Sequence, residues 1–378
     1  MSTVPPAPAD PGPFSDDTPL ANLIDPDAGQ TGDRATRFIK NLSERIERAK
    51  SPEGKVDPPP LPKVGDRIGK YDLISELGRG FSSIVFRAHH RMLGIDVALK
   101  ILLRTDQDSE MLSGSYREAN LLAQLNHPNI TRVLDFDEHG DWHFLVLEYV
   151  NGSDVRALIQ RAGRVEQLLL VGLIQQTCEG LRYAHQLGVI HCDIKPANLL
   201  LTDDGKLKVA DLGLAKISGQ GQVQTKYKSG TTGAGGTPLY IAPEMATGGF
   251  DSADHRSDIY SLGVSMYHAL TGSPPFMHEN PYELVRMHIL DPVPALALRC
   301  PGLDFSLVAL VTCMLAKNPK DRPQSYDEIL ADLRIISESI STASDDDSSV
   351  QLFFRPDGTI APEDHRTTRF WDKLFKRS

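Results

Sequence analysis

Residues 191–198 read HCDIKPAN, a histidine, a thiol, a carboxylate, an ammonium and a carboxamide within one turn of chain, reached through the apolar approach LRYAHQLGVI. Asp193 is the candidate catalytic carboxylate, and the thiol of Cys192 beside it needs explaining. Upstream, in ELGRGFSSIVF, Gly78 and Gly80 sit between two strand-like runs, where a hairpin without side chains lets backbone N–H groups approach phosphate oxygens. Alone the pair is weak: glycines at strand junctions more often mark ordinary turns, and Ser83 stands where a third glycine would complete the usual pattern. DVALKIL places Lys100 among apolar neighbours. Such a lysine ordinarily lines the solvent face of a strand; pointed inward, its charge needs a partner. Glu118, in SEMLSGSYREANLLAQL, lies within an otherwise apolar helical turn.

These residues need elements to position them. YDLISEL, SSIVFRA, DVALKIL and HFLVLEY alternate as strands do, and they crowd the first third of the region from about 68 to 336. VEQLLLVGLIQQTCEGLRYAHQL and DIYSLGVSMYHALTG follow with helical spacing. The pattern predicts an α+β architecture, a small strand-rich lobe (68–149) followed by a larger helical lobe (150–336).

The flanks differ in composition. Residues 1–33 are rich in Pro, Ala and Asp without apolar period, the signature of a disordered tail. In 34–50, Phe38, Ile39, Leu42 and Ile46 share one helical face, with Asp33 placed to cap. This short amphipathic helix is expected to dock on the main domain rather than on a membrane or partner. Prolines make 51–67 an extended linker, and 337–378 is a C-terminal tail with a spacer, STASDDDSS, and a basic aromatic end, TTRFWDKLFKRS. Intramolecular docking of that end is the favoured expectation, ahead of a partner and then an anionic membrane.

Composition sets the outer limits. The chain has 378 residues, 40% apolar and 24% charged, as a soluble globular protein with a sizeable core would. No run reaches the roughly 18 apolar residues of a spanning helix, and the start lacks the regions of a signal peptide. Four scattered cysteines without ligand spacing predict reduced thiols, so a cytoplasmic location is expected. A net charge of −10 argues against wholesale nucleic-acid binding.

Gly78-x-Gly80, VALK ending in Lys100, Glu118, HCDIKPAN and DLG (211–213) occur in the order and spacing of the protein-kinase signature set. With GTPLYIAPE (236–244), SDIYSLGV (257–264) and NPKDRP (318–323), the sequence resembles the eukaryotic-type (Hanks-type) serine/threonine protein kinases over roughly 270 residues, most nearly in bacterial style. The resemblance implies a bilobal kinase fold, ATP as phosphate donor, Mg²⁺ with Mn²⁺ as the alternative, and protein substrates bearing Ser or Thr. It gives Lys100 the α and β phosphates with Glu118 as its partner, Asp211 and Asn198 the metal, and Asp193 the substrate hydroxyl. Leu77, Gly78 and Gly80 would cover the nucleotide; Val85, Ala98 and Leu200 would sandwich the adenine. Glu148 to Val150 would offer it backbone hydrogen bonds beside Leu147, and Asp154 would meet the ribose. Lys195 with Thr237 matches the serine/threonine pattern. Glu244 and Arg322 would form a buried structural pair, and Asp258 would brace the catalytic loop.

The pattern is departed from at Ser83 and at Cys192, which replaces the usual Arg. A thiol has neither the cation nor the donor fork that would anchor a phosphorylated activation loop. Activity is therefore expected not to depend strictly on loop phosphorylation. Cys192 itself reads as a semi-buried filler in preference to a redox sensor. Ala197 stands where many basic-directed relatives carry Glu, which argues against a strong preference for upstream arginine. Two rivals remain: a pseudokinase scaffold, against which all five core catalytic positions speak, and a small-molecule phosphotransferase, against which GTPLYIAPE speaks.

Overall fold

The computed structural model describes residues 61–80, 83–103, 122–140, 142–212, 216–217 and 238–343. The expectations for residues 1–60, Glu118, Thr237 and 344–378 lie outside these residues.

Six strands form one antiparallel sheet: β1 (Arg67–Ile68), β2 (Tyr71–Arg79), β3 (Ser83–His90), β4 (Ile95–Leu102), β5 (Val133–His139) and β6 (Trp142–Glu148), in the order β1-β2-β3-β4-β6-β5. Side chains alternate across a strand, so one parity of β3 and β4 builds a core. Ile84, Phe86, Leu99 and Ile101 are fully buried, packed with Tyr71, Phe144 and Val146. The other parity faces away from that core, and its register aligns Val85 with Lys100, Lys100 with Leu145, and Ala98 with Leu147. Those residues therefore share the face turned toward the rest of the chain.

The helical part starts after β7 (Gly152–Asp154). It comprises α1 (Val155–Ala162), α2 (Gln167–Gln186), α3 (Pro243–Gly248), α4 (His255–Thr271), α5 (Pro281–Leu290), α6 (Leu296–Arg299), α7 (Phe305–Met314) and α8 (Tyr326–Ala343). Short strands β8 (Val189–Ile190), β9 (Leu199–Thr202), β10 (Leu207–Val209) and β11 (Lys216–Ile217) lie between α2 and α3. β9 pairs with β10 and β7, and β11 with β8, all antiparallel.

Helix α4 is the axis of this lobe. Asp254 and Ser257 start it with a reciprocal capping box, and nearly all its residues from Ser257 to Leu270 are buried. A helix so enclosed must be small or apolar all round. Gly263 meets that need, because a Cβ there would stand 2.9 Å from Met314 Cβ. Ser261 is satisfied within the core by donating to Tyr240 O at 2.8 Å.

One turn of the small lobe is seated on the large one. Asn129 Nδ2 donates to Leu207 O (2.8 Å) and Gln176 Oε1 (3.2 Å), and Val209 N donates to Asn129 O (2.8 Å). Gly180 permits the approach, since a Cβ on it would lie 2.9 Å from Asn129 O.

The strand and helix segments expected from alternation and helical spacing coincide with β2, β3, β4 and β6 and with α2 and α4 to within three residues at their ends among the described residues. Helix α8 runs to Ala343, past residue 336. Among the described residues, no helix is long and apolar enough to cross a membrane.

Candidate active site

HCDIKPAN runs from the end of β8 into a single 3₁₀ turn, Pro196–Asn198, that leads to β9. The turn folds two side chains onto one carboxylate. Lys195 Nζ donates to Asp193 Oδ2 at 2.7 Å, and Asn198 Nδ2 donates to Asp193 O (2.8 Å) and Oδ2 (3.1 Å). Asp193 Oδ1 accepts no hydrogen bond from the described residues, so one oxygen is fixed and the other is available.

Beneath this, Asp258 holds the backbone. Its carboxylate accepts from His191 N (2.7 Å) and Cys192 N (2.8 Å), while burial pushes its pKa up. Asp193 N donates to His191 Nδ1 (3.2 Å), which leaves Nε2–H to donate to Ala210 O at 3.0 Å. His191 thus ties the catalytic turn to the residue preceding Asp211.

Lys100 reaches across from β4 to form an ion pair with Asp211 Oδ1. Its charge holds the Asp211 carboxyl down at about 2. Cys192 (φ 62°) and Asp211 (φ 61°) are the only non-glycine residues with positive φ among those described. Each left-handed backbone costs about 1–3 kcal/mol, and such strain concentrates where side chains must be aimed. Here it brackets Asp193 and aims Asp211 at Lys100.

Residues 71–333 match the family model described as a protein kinase domain, well over half of the chain. The chain belongs to the protein kinase family. It is 37% identical over 279 residues to the serine/threonine-protein kinase PknB of Mycobacterium leprae, covering 72% of this chain and 43% of that protein. It is 39% identical over 272 residues to PknB of Mycobacterium tuberculosis, covering 70% and 42%. A probable serine/threonine-protein kinase of Streptomyces coelicolor is 37% identical over 276 residues, covering 70% and 39%. The chain spans less than half the length of these curated relatives. The two lobes are those of the bilobal kinase fold.

Within this kinase domain the remaining expected residues divide into three groups. Val85, Ala98 and Leu147 lie with Lys100 on the sheet face away from the small-lobe core, and Leu200 lies on β9, cross-strand from Asp154. Leu77 is half exposed, and a Cβ on Gly78 would meet nothing within 4 Å among the described residues. The backbone N–H and C=O of Val150 have no partner among the described residues, as a ligand-binding edge requires.

A second group has structural work in hand. Asp154 caps α1, its Oδ1 accepting from Ala157 N at 2.7 Å. Burial works against the charge of Glu244, but two hydrogen bonds from Arg322 (2.7 and 2.8 Å) hold its carboxyl below the usual range. Glu148 pairs through its side chain with Lys208 Nζ at 3.0 Å, joining the two lobes beside Val150. The third group, Glu118 and Thr237, falls outside the described residues.

Sequence reasoning passed over His191 and Lys208. The i, i+2 spacing of His191 and Asp193 was the available signal for the first. For Lys208 there was none, since its partner lies 60 residues away.

Proposed function

We propose that the protein is an ATP-dependent serine/threonine protein kinase. The observation that carries the reading is the half-engaged carboxylate of Asp193, held by Lys195 and Asn198 with one oxygen left for a substrate hydroxyl. In this reading Asp193 Oδ1 accepts the proton of a Ser or Thr side chain, while Lys195 keeps the carboxylate in place and adds positive charge beside the transferring group. Lys100 binds the α and β phosphates. Gly78 and Gly80 let the backbone close over them, and Val85, Ala98 and Leu200 enclose the adenine, whose edge meets the backbone of Glu148 and Val150.

The donor chemistry fits a hard divalent cation. Asn198 Nδ2 is occupied with Asp193, leaving Oδ1 as an oxygen donor, and Asp211 is ionised. Two protein oxygens suit Mg²⁺, which keeps waters and phosphates as its other ligands, and Mn²⁺ takes the same donors. When bound, the ion neutralises charge on the phosphate oxygens.

Purified chain, labelled ATP, Mg²⁺ and a generic basic protein acceptor test the proposal, with Asp193→Asn as the control. Transfer is expected to fall by roughly 10²–10⁴-fold in the variant, with label recovered on Ser or Thr. ATP binding without transfer by the unmodified chain would leave a nucleotide-binding scaffold instead. Cys192 extends the reading: without a cation at this position, loop phosphorylation is not an obligatory on switch. Replacing Thr225, Ser229, Thr231 and Thr232 together by Ala should therefore preserve activity, and a large loss would refute this.

A further inference from the structure

A surface away from the phosphate chemistry carries a separate inference. Helices α7 and α8 pack in a register set by two contacts. Ser339 Oγ donates to Asp304 Oδ2 at 2.9 Å at one end. At the other, Cys313 Sγ donates to Asp321 O at 3.3 Å, and burial with the charges of Asp332, Asp321 and Glu328 pushes its thiol pKa up. Residue 304 thus stands opposite 339, and 313 near 328 and 332, so Phe305, which follows Asp304, and Ile335, between Asp332 and Ser339 along α8, border the groove between the two helices. Phe305 is 84% exposed and Ile335 62%. An aromatic ring and an aliphatic side chain left in water on two packed helices are apolar area exposed to solvent.

The rim of this groove is acidic. On the side of α8 toward Cys313 stand Glu328 and Asp332, with Asp321 just before the helix, and no described basic side chain pairs with Asp321 or Asp332; Asp327 is engaged by Arg182 of α2 at 2.8 Å. A fitting occupant is aromatic and basic.

We propose that residues 369–377 of the same chain, RFWDKLFKR, seat in the α7/α8 groove, with Phe370, Trp371, Leu374 and Phe375 against Phe305 and Ile335 and their basic neighbours toward the acidic rim. From Arg366 to Arg377 this segment has five basic residues and one acidic, Asp372. The described structure ends at Ala343, four residues past Ser339 and so at the Asp304 end of the groove. The intervening residues, 344–368, span up to about 80 Å when extended at ~3.3 Å each, while the groove centre lies roughly 12 Å back along α8. A tether of this kind presents the segment at about millimolar effective concentration, which favours the chain's own tail over a second copy.

The test uses the full chain with Trp142→Phe, which leaves Trp371 as the only tryptophan. Blue-shifted emission and slow acrylamide quenching are expected. In the same background, Phe305→Ser with Ile335→Ser should shift the emission to the red and raise quenching several-fold, and so should Asp332→Lys; all three sites are exposed, and an unchanged melting temperature verifies the fold. Quenching typical of free indole before any groove substitution would overturn the proposal. Protection that survives both groove variants, that depends on protein concentration, or that arises only with phosphatidylserine vesicles would overturn it too, in favour of another site, a second copy or a lipid surface.

Discussion

Arg322 and Lys100 each reach a carboxylate from a distant part of the chain, but their surroundings differ in how much hydrogen-bonding capacity is left over. The Arg322 side chain is 0% exposed, and besides its two bonds to Glu244 it donates to Ala316 O, Arg256 O and Lys317 O at 2.8–3.0 Å. Its face also lies over the Tyr260 ring at 4.8 Å. Glu244 takes a further bond from Ser257 Oγ at 2.7 Å. Nothing remains for a ligand, and such a pair can only hold the segment around α3 to the large lobe. Asp211 is 44% exposed by its side chain, against 13% for Lys100, and sits in a strained backbone. Saturation suits the Glu244–Arg322 pair to a structural role, whereas Asp211, with capacity left among the described residues and a strained backbone, is suited to take a ligand.

Removing one partner from each pair should separate the two most widely. Glu244→Ala strands a buried guanidinium and should cost roughly 3–5 kcal/mol of stability in urea denaturation. Lys100→Met should leave stability within about 1 kcal/mol, since Asp211 regains water, while phosphate transfer falls by roughly 10²–10³-fold. Equal destabilisation by both variants would collapse the distinction.

Acid offers a second approach to the saturated side. His288 is fully buried with Nδ1 3.0 Å from Tyr260 OH, the same tyrosine that lies against Arg322, and burial, aided by the nearby Lys317 charge, lowers its pKa to about 4. The unfolded imidazole titrates near its ordinary value, so between about pH 6.5 and 4 the unfolded state binds the extra proton and stability falls as pH falls. The loss from this one group reaches at most about 3 kcal/mol, and His288→Gln should flatten the thermal-stability profile over that window.

The smallest expected effect concerns the strained side. A β-branched residue fits a positive φ poorly, so Cys192→Val should lower stability by about 1–2 kcal/mol, whereas Cys192→Gly should be near neutral. Differential scanning calorimetry distinguishes the two.

Much of this was readable in the chain because the signals were local. Alternation in SSIVFRA and DVALKIL placed Lys100 on the right strand, and the compact HCDIKPAN fixed which side chains could converge on Asp193. The backbone state of Cys192 was not readable. Its left-handed φ is imposed by Asp258, 66 residues on, and a thiol gives no local propensity for it. Besides lacking a cation, Cys192 holds a conformation in which its backbone N–H is bound by the Asp258 carboxylate. Asp154, expected at the ribose, also caps α1, a second role that its position before the helix gives it.

The seat of Asn129 on α2 and β10 has a mechanical consequence. With that turn hydrogen-bonded into the large lobe and packed closely on Gly180, lifting the sheet away as a whole would break these bonds. Opening of the cleft is left with rotation about a pivot near Asn129, so the separation of Lys100 from Asp211 acts as a gauge of that angle. A ligand that widens or narrows this one gap sets the attitude of the entire small lobe.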